Sequence, residues 1–285
     1  MIVITGATGA LNGATGEHLL ERVPAADLVV AVRDPARAAR FAERGVEVRR
    51  ADYADPASLP TAFAGADQLL LVSSSDPTAD AVALHRTAVE AAVEAGVGRV
   101  LYTSHQGAHL DSPFVPARDH ARTEELLAAS GLPWTSLRNG FYAHSLAWLT
   151  GPWRETGTIT VPGDGPVSWT AREDAAEAAA AVLLADGAYE GPVTLTATGA
   201  PTFAEVAETA SDLVGRRIGL TRVDPQDWVA QQVAAGAPEG MVSFTLGIYE
   251  AAAGGFFAGT DPLLADLLGR EPRTFRDVLA APAHA

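Results

Sequence analysis

Short apolar segments alternate with longer segments of helical spacing through the first half of the chain. The apolar segments predict β-strands at Ile2–Thr5, Leu28–Val32, Val46–Arg50, Gln68–Val72, Arg99–Ser104 and Trp134–Asn139. The segments between them, rich in Ala, Glu, Leu and Arg, predict helices at Glu17–Val23, Pro35–Arg44, Asp55–Ala64, Asp80–Ala95 and Arg118–Ser130. Strands joined by helices cross over in one hand and pair in parallel. The pattern therefore predicts an α/β chain whose parallel sheet carries helices on both faces.

The second half has shorter strands and less regular spacing. An extended segment covers Gly157–Trp169, and an alanine-rich helix is predicted at Arg172–Asp186. We therefore expect a domain over residues 1–150 and a smaller α+β region over residues 151–285, without a clean boundary. The most apolar stretch, Pro238–Phe257, is either the core of a helix or one wall of a flat aromatic pocket.

A glycine-rich turn, GATG at Gly6–Gly9, directly follows the first strand. Gly6 supplies the backbone angles of a tight turn, and Gly9 lets the chain approach a pyrophosphate without an intervening Cβ. The following helix presents N–H groups and the positive end of its dipole to phosphates. Alone, such a turn is also an ordinary strand–helix connection. At the start of an alternating α/β chain it predicts a dinucleotide site and a Rossmann-like fold.

A second GATG, at Gly13–Gly16, follows no strand and runs into a helical segment. Glycine inside a helix costs about 1 kcal/mol relative to alanine, so these glycines need a physical reason. Close packing of the helix against the sheet is the reason we expect. Asn12 stands where a third glycine of the phosphate turn is expected, and its amide either caps the helix or contacts the cofactor.

An arginine follows the second strand. A carboxylate at this position usually binds the ribose 2′-hydroxyl of NAD, whereas an arginine accommodates the 2′-phosphate of NADP. Arg33 comes first, Asp34 follows, and Arg37 lies one helical turn further along the chain. This order predicts NADPH as the cofactor. The alternative is a solvated ion pair between Arg33 and Asp34.

Polar residues also follow the next three strands. Asp52 and Tyr53, after the third strand, are placed to contact an adenine. Three hydroxyl groups follow the fourth strand, on Ser73, Ser74 and Ser75, and they either contact the cofactor or form a plain polar loop. Ser104 and His105 end the fifth strand, where the nicotinamide is expected.

The composition limits the chemistry further. The net charge is −15, which disfavours a nucleic-acid partner. There is no cysteine, and all 20 basic residues are arginine, so disulfides, thiolate catalysis and Schiff-base lysines are excluded. We expect no metal site, because the histidines lack a surrounding set of carboxylates. The sequence shows no leader and no apolar run of about 20 residues, so we expect a cytoplasmic protein without membrane contact.

Eight motifs appear in a specific order along the chain. Seven of them are ITGATG at Ile4–Gly9, RVPAADLVVAVRDPARA at Arg22–Ala38, GVEVRRADYADPASL at Gly45–Leu59, LLLVSSSD at Leu69–Asp76, YTS at Tyr102–Ser104, HARTEELL at His120–Leu127 and LRNGFY at Leu137–Tyr142. The eighth is GDGPVSWTAREDAAEAAAAVL at Gly163–Leu183. In this order the chain resembles the NmrA-like atypical short-chain dehydrogenase/reductases, in the branch of the NAD(P)H:quinone reductases and triphenylmethane reductase. The resemblance extends to about Val278.

The resemblance implies a Rossmann-like region and a smaller C-terminal region that closes over the nicotinamide. It also implies cofactor contacts in the glycine turn, at Arg33, at Ser73 and in the Asn139–Tyr142 loop. Combined with the residues above, the candidate cofactor contacts are Gly6, Thr8, Gly9, Ala10, Leu11, Asn12, Arg33, Asp52, Tyr53, Ser73, Ser74, Ser75, Thr103, Asn139, Gly140 and Phe141.

The chain departs from the usual proton donor of short-chain reductases, a tyrosine four residues before a lysine. His120 falls where that lysine is expected, and Pro116 occupies the tyrosine position. The acid must therefore be another group, and the candidate catalytic residues are Ser104, His105, Tyr142 and His120, with His144 as a further neighbour. His120 has an alternative structural role, an ion bridge to Glu124 one helical turn later.

An acceptor that needs little acid catalysis suits such a site. Reducing a quinone or a hydroxyaryl ketone leaves a phenolate, with a pKa near 10, whereas a simple ketone leaves an alkoxide about as basic as hydroxide. The difference corresponds to about 8 kcal/mol. We therefore expect an NADPH-dependent reductase of a quinone or of a polycyclic aromatic, polyketide-like ketone. The sequence is compatible with a homodimer. The alternative is a non-catalytic NAD(P)-binding regulator that senses redox state and binds a protein partner.

Overall fold

The main sheet has seven strands in the order β3-β2-β1-β4-β5-β6-β8. The structure is a computed structural model and describes residues 1–74, 76 and 78–280. The strands are β1 (Ile2–Thr5), β2 (Leu28–Val32), β3 (Glu47–Arg50), β4 (Gln68–Leu71), β5 (Arg99–His105), β6 (Trp134–Asn139), β7 (Thr158–Val161), β8 (Gly191–Leu195) and β9 (Gly219–Arg222). Strands β7 and β9 form a separate parallel pair.

Helices connect the strands along the whole described chain. The α-helices are α1 (Ala10–Leu20), α2 (Ala39–Ala42), α3 (Leu59–Phe63), α4 (Ala81–Glu94), α5 (Val115–Ala129), α6 (Leu146–Leu149), α7 (Trp153–Thr156), α8 (Arg172–Leu184), α9 (Phe203–Val214), α10 (Pro225–Ala234), α11 (Glu239–Ala253), α12 (Leu263–Leu268) and α13 (Phe275–Ala280). Short 3₁₀ turns lie at Ala25–Asp27, Pro35–Ala38, Pro56–Ser58 and Ala143–Ser145.

The order of the strands determines where ligands bind. β1 pairs in parallel with β2 on one side and with β4 on the other, and β3 and β5 extend the sheet outwards in parallel. The winding therefore reverses between β1 and β4, and ligands in such sheets bind beyond the carboxyl ends of the strands at this point. The predicted Rossmann-like α/β fold is confirmed.

The chain folds into two compact units, each assembled from three stretches of sequence. The first unit contains residues 1–105, 119–138 and 172–193, and the second contains residues 106–118, 139–171 and 194–285. The chain therefore passes between the two units several times.

The core of the first unit is aliphatic. Strand residues such as Val3, Val29 and Leu69 are fully buried and pack with the side chains of α3 and α4. Helix α1 packs closely on α8, whose buried positions are mostly alanine. Small side chains on both helices allow this close approach.

The core of the second unit is aromatic. Phe141 lies with its ring centroid 5.5 Å from that of Trp169 and 5.2 Å from that of Phe257. Trp169 in turn meets Phe203 edge to face. These rings bury a large apolar area in specific geometry, which compensates for the short strands of this unit.

The start of α1 bears on the second GATG. The periodic segment alone begins at Glu17, but the helix begins at Ala10, so the expectation that the second GATG lies in the first helical turns is confirmed. The surroundings of Gly16 give the physical reason for a glycine inside this helix. A Cβ at this position would lie 2.9 Å from Cε1 of Phe41 and 3.9 Å from Cδ1 of Ile4. The helix does pack closely at Gly16, but its tight neighbour is the phenyl ring of Phe41 in α2, whereas Ile4 of the sheet lies at ordinary contact distance.

The substitution Gly16→Ala tests this packing. The added methyl collides with Phe41, at a typical overpacking cost of about 1–3 kcal/mol, which the gain of about 1 kcal/mol in helix propensity only partly offsets. We expect the free energy of unfolding in urea to fall by about 1 kcal/mol. Gly240→Ala in α11 is the matched control, because a Cβ there meets no described atom within 4 Å, and it should stabilise slightly. Equal gains in both variants would contradict the assigned contact.

Candidate active site

The first glycine turn has the geometry of a close backbone approach. Gly6 has a φ of +64°, and its N–H donates to the carbonyl of Ala31 at 3.1 Å. A Cβ on Gly6 would lie 2.6 Å from Cγ1 of Val72, so only glycine fits between the two strand ends. The turn is therefore held tightly against β4 at the point where the winding reverses.

Helix α1 starts from this turn without a side-chain cap. Gly9 is its N-cap, and the Gly9 N–H donates to the carbonyl of Gly6 at 2.9 Å. No acidic residue lies in the first turn of the helix. Gly9 and Ala10 are exposed, while Thr8 and Leu11 are half-buried. The positive end of the helix dipole is thus open to an anion.

The buried side chain of Asn12 hydrogen-bonds the end of β1, directly before the glycine turn. Its side chain is 1 % exposed, and Nδ2 donates to the carbonyl of Thr5 at 2.9 Å. The expectation that Asn12 caps the helix is wrong, because the helix begins before it and Gly9 is the N-cap. Among the described residues no group hydrogen-bonds its buried Oδ1. A cofactor contact of Asn12 stays a prediction.

Arg40 reaches the glycine turn, a contact that the sequence did not indicate. Its Nη2 donates to the carbonyl of Ala7 at 3.0 Å. A Cβ on Gly13 would collide with the same guanidinium nitrogen and would lie 2.8 Å from the carbonyl of Ala7. The first glycine of the second GATG therefore makes room for an arginine beside the phosphate turn.

Arg33 and Arg37 are exposed, and neither has an ion-pair partner in the part of the chain that the structure describes. The alternative of an Arg33–Asp34 pair is wrong, because Oδ1 of Asp34 accepts from the N–H of Ala36 and caps the 3₁₀ turn. The pKa of Asp76 is lowered, first by hydrogen bonds from Thr78 and to a smaller degree by Arg33. The two arginines leave cationic groups available at the end of β2.

Tyr53 is bound into the junction of β1 and β4. Its hydroxyl lies 2.7 Å from Oγ1 of Thr5 and 3.0 Å from the carbonyl of Val72. Burial raises the pKa of the Tyr53 phenol, so the group stays protonated. The neighbouring Asp52 is half-buried, and its Oδ1 accepts from the N–H of Ala54. The two predicted adenine contacts thus follow β3, with the Asp52 carboxylate in a local hydrogen bond and the Tyr53 hydroxyl bound to the ends of β1 and β4.

The serines after β4 are held through their backbone. The Ser73 N–H donates to Oγ1 of Thr103 at 2.9 Å, and the Ser74 N–H donates to Nε2 of His85 at 2.7 Å. Ser75 lies outside the described residues. Thr103, a predicted cofactor contact, is buried and positions the loop. The carboxyl ends of β4 and β5 are therefore tied together beside the glycine turn.

A buried carboxylate occupies the end of β5. Glu124 accepts from the Ser104 hydroxyl at 2.8 Å, from the Ser136 hydroxyl at 2.6 Å and from Nε of Arg138 at 3.0 Å. The Ser104 proton is thereby held by Glu124, which makes Ser104 the weakest of the proposed acids. The expected bridge between His120 and Glu124 is wrong, because His120 hydrogen-bonds Tyr102 instead.

Three histidines and a tyrosine meet between β5, α4 and α5. The ring centroids of His105 and His120 are 6.3 Å apart and nearly parallel. Burial lowers the pKa of His105 and of His85 to about 4 and holds the pKa of His120 well below its usual value. Burial also raises the pKa of the Tyr102 phenol. All four groups are therefore neutral at pH 7.

The remaining predicted contacts belong to the second unit. Nδ2 of Asn139 lies 3.4 Å from the hydroxyl of Tyr142, which is half-buried. The Gly140 N–H donates to the carbonyl of Leu195, and a Cβ there would collide with the Thr170 hydroxyl. Phe141 is 7 % exposed and belongs to the aromatic core. Direct cofactor contacts of this segment stay a prediction.

The apolar Pro238–Phe257 stretch contributes to the core of the second unit and to the lining of a cavity, and its role as the wall of an aromatic ligand pocket stays a prediction. Helix α11 buries Tyr249 in the core, whereas Met241 is exposed. A cavity of about 450 Å³ within the second unit is lined by both of these residues and by Trp148 and Trp228.

The described residues contain no group of three or more acidic or histidine side chains that could hold a metal ion. Over the same residues, no helix combines the length and the hydropathy that a bilayer crossing requires.

Known reductases are similar to this chain in sequence and in fold over nearly its whole length. The model of the NmrA-like family matches residues 1–250. Quinone oxidoreductase 2 of Escherichia coli is 35 % identical, over 97 % of this chain and 96 % of the relative. The crystal structure of an NADPH-dependent quinone oxidoreductase from Escherichia coli, complexed with NADPH, superposes with a TM-score of 0.91 at 34 % identity, over 98 % of this chain and 99 % of that one. Triphenylmethane reductase of Citrobacter sp., complexed with NADP(H), superposes with a TM-score of 0.87 at 33 % identity, over 99 % of this chain and 100 % of that one.

Glu124→Ala should destabilise the first unit. The variant leaves Arg138 without its buried carboxylate and removes the acceptor of two serine hydroxyls. Breaking a buried pair in this way costs about 3 kcal/mol, measured as the free energy of unfolding in urea. Glu125→Ala is the matched control, because Glu125 is the exposed neighbour. Equal effects of the two substitutions would rule out the buried network as a stabilising element.

His85 should make stability depend on pH. Its folded pKa of about 4 lies below the ordinary value of 6.5, so the unfolded chain binds the proton more tightly. The stabilisation from His85 is complete above pH 6.5 and is lost as the pH falls, by about 2 kcal/mol between pH 7.5 and pH 5. The parent protein should lose more than this in urea unfolding, because the pKa values of His105 and His120 are also lowered; His85→Gln should reduce the loss by about 2 kcal/mol, while His18→Gln keeps it. An unchanged slope in His85→Gln would contradict the assignment.

Proposed function

This chain belongs to the NmrA-like family, and from that premise we propose that it is an NADPH-dependent reductase of a quinone or a polycyclic aromatic ketone. The observation that carries the proposal is the uncapped start of α1 behind the Gly6 turn, with three arginines at the end of β2 and in the segment that follows. When bound, NADPH supplies the hydride. The protein binds it, orients it and excludes water.

The residues present fit a dinucleotide. Gly6 and Gly9 allow the backbone to approach a pyrophosphate, because neither carries a Cβ and Gly6 adopts a left-handed conformation. The N–H groups of the first helical turn have no intrahelical acceptor. Ser73 is held beside this turn by Thr103. These groups would bind the diphosphate in the first unit of the chain.

The charge around the turn supports NADPH over NADH. Arg33, Arg37 and Arg40 are exposed cations on a chain with a net charge of −15. Arg33 and Arg37 have no ion-pair partner among the described residues, so they can meet a 2′-phosphate without losing an existing bond. Arg40 is bound to the Ala7 carbonyl and fixes the turn itself.

The absence of lysine supports an acceptor whose reduced form is a weak base. A phenolate product needs about 8 kcal/mol less help than an aliphatic alkoxide. The names of two relatives support an aromatic, conjugated acceptor: one is a quinone oxidoreductase, and the other is a triphenylmethane reductase described with triphenylmethane dyes. By analogy we infer that the acceptor is a flat conjugated molecule.

The first experiment follows NADPH oxidation with the purified protein. The acceptor panel contains naphthoquinones, hydroxyaryl ketones and triphenylmethane dyes, with aliphatic ketones as the negative class. Turnover with the conjugated acceptors alone would support the proposal. Tight NADPH binding without turnover on any acceptor would instead support the regulator.

Arg33→Ala should separate the two cofactors. Losing one charge-assisted hydrogen bond to a phosphate costs about 1.5 kcal/mol, so the KM for NADPH should rise about tenfold. The KM for NADH should stay within about twofold, because NADH lacks the 2′-phosphate. Arg22→Ala, at another exposed arginine, should change neither value. An equal loss for both cofactors in Arg33→Ala would refute the assigned role.

A further inference from the structure

Two hydrogen-bonded pairs lie side by side between β5, α4 and α5, and together we call them the imidazole chain: His85 with Thr123, and Tyr102 with His120. His85 and Thr123 are almost completely buried, and Tyr102 is 0 % exposed. His120 is half-buried and stacks on His105 at the carboxyl end of β5. The His85 end of the imidazole chain therefore lies in the interior, while the His120 end reaches the ligand-binding edge of the sheet.

The hydrogen bonds that His85 makes in the imidazole chain determine its tautomer. The Ser74 N–H donates to Nε2 of His85 at 2.7 Å, so this nitrogen is the acceptor. A neutral imidazole then carries its proton on Nδ1. That nitrogen lies 2.8 Å from Oγ1 of Thr123, which itself donates to the carbonyl of Asp119 at 2.7 Å. The donor directions agree at every step.

The second part determines the tautomer of His120. Nδ1 of His85 is a donor, so it cannot accept the proton of the Tyr102 hydroxyl, 3.5 Å away. That hydroxyl lies 2.8 Å from Nδ1 of His120, and we assign this nitrogen as the acceptor of its proton. A neutral His120 must then carry its proton on Nε2. Within the described residues, Nε2 of His120 has no hydrogen-bond partner.

The environment keeps His120 neutral. Its ring faces Tyr102 and His105 on β5, and His85 on α4 lies close enough to affect its charge. Burial lowers the pKa of His120 first, and the two other histidines lower it further. Tyr102 stays a phenol because burial raises its pKa. A neutral imidazole presenting an N–H is a hydrogen-bond donor that keeps its proton.

We propose that His120 donates a hydrogen bond from Nε2 to the acceptor oxygen that gains negative charge during reduction, and that Tyr102 and His85 are the positioning residues that set its tautomer. This inference rests on the proposed function. A quinone that has taken up a hydride is a hydroquinone monoanion, with its charge on a phenolate oxygen. His120 stabilises that oxygen, and one proton from water completes the hydroquinone. His120 ends each cycle in the state in which it began.

Nuclear magnetic resonance tests the tautomer without turnover. Two-bond ¹H–¹⁵N correlations of the histidine rings should show His120 as the Nε2–H tautomer from pH 8 to pH 5.5. In Tyr102→Phe both tautomers should be populated, because the donor to Nδ1 is gone. Tyr189→Phe is the matched control, since the contacts of Tyr189 run through its backbone carbonyl. A protonated ring, or the Nδ1–H tautomer, in the parent protein would overturn the proposal.

A binding experiment separates this inference from the proposed function. Adding para-nitrophenolate and NADP⁺ should move the Nε2–H proton resonance of His120 downfield, and less so in Tyr102→Phe. No shift would overturn the inference, whatever the turnover. Failure of the whole acceptor panel would overturn the proposed function instead, whatever the shift.

Kinetics complete the test. His120→Ala should lower kcat about 100-fold, as for the loss of one oxyanion donor, with the KM for NADPH unchanged. His120→Gln, which keeps an N–H near the same position, should recover part of that loss. The parent rate should stay flat between pH 5.5 and pH 8, because a neutral donor does not titrate there. An inflection near pH 6.5 that disappears in His120→Gln would mean that an imidazolium acid acts instead.

Discussion

The hydroxyl of Thr5 joins the two central strands at the edge on which the candidate site is built. Its Oγ1 donates to the carbonyl of Leu70 and accepts from the Val72 N–H, and it meets the Tyr53 hydroxyl. Parallel strands separate at the point where the winding reverses, and this one buried group spans the opening. The glycine turn begins at Gly6, directly after Thr5 ends β1, and the serine loop begins directly after Val72. The hydrogen bonds of the Thr5 hydroxyl therefore help to position both the glycine turn and the serine loop.

Helix α5 carries two polar systems of opposite character on one face. His120, Thr123 and Glu124 are three and four residues apart, a spacing that directs all of them towards β5. Glu124 is charged and satisfied by the arginine and serines of β5 and β6, whereas the imidazole groups are neutral. Over the described part of the chain, no side-chain hydrogen bond joins the two systems, so a buried carboxylate with its partners lies beside a neutral imidazole chain.

The sequence predicted the features that depend on local pattern. Alternating apolar segments and a glycine turn after β1 define the fold, and Arg33 is exposed at the strand end as expected. Contacts between residues far apart in the chain were not predictable. No spacing rule identifies Arg40 as the partner of Ala7, the Glu124 network has no local signal, and spacing alone favoured a His120–Glu124 bridge. Gly13 was the one hint of Arg40, since a helix glycine marks a close neighbour.

The absence of both cysteine and lysine has a consequence for the proposed reaction with quinones. Quinones are electrophiles as well as oxidants, and they arylate thiolates and amines by conjugate addition. A protein that reduces quinones, as we propose for this chain, exposes its own nucleophiles to damage at each turnover. Here every basic side chain other than histidine is a guanidinium, which stays protonated and is a poor nucleophile. The same composition that removes the usual acid pair thus removes the side chains that such electrophiles modify most readily.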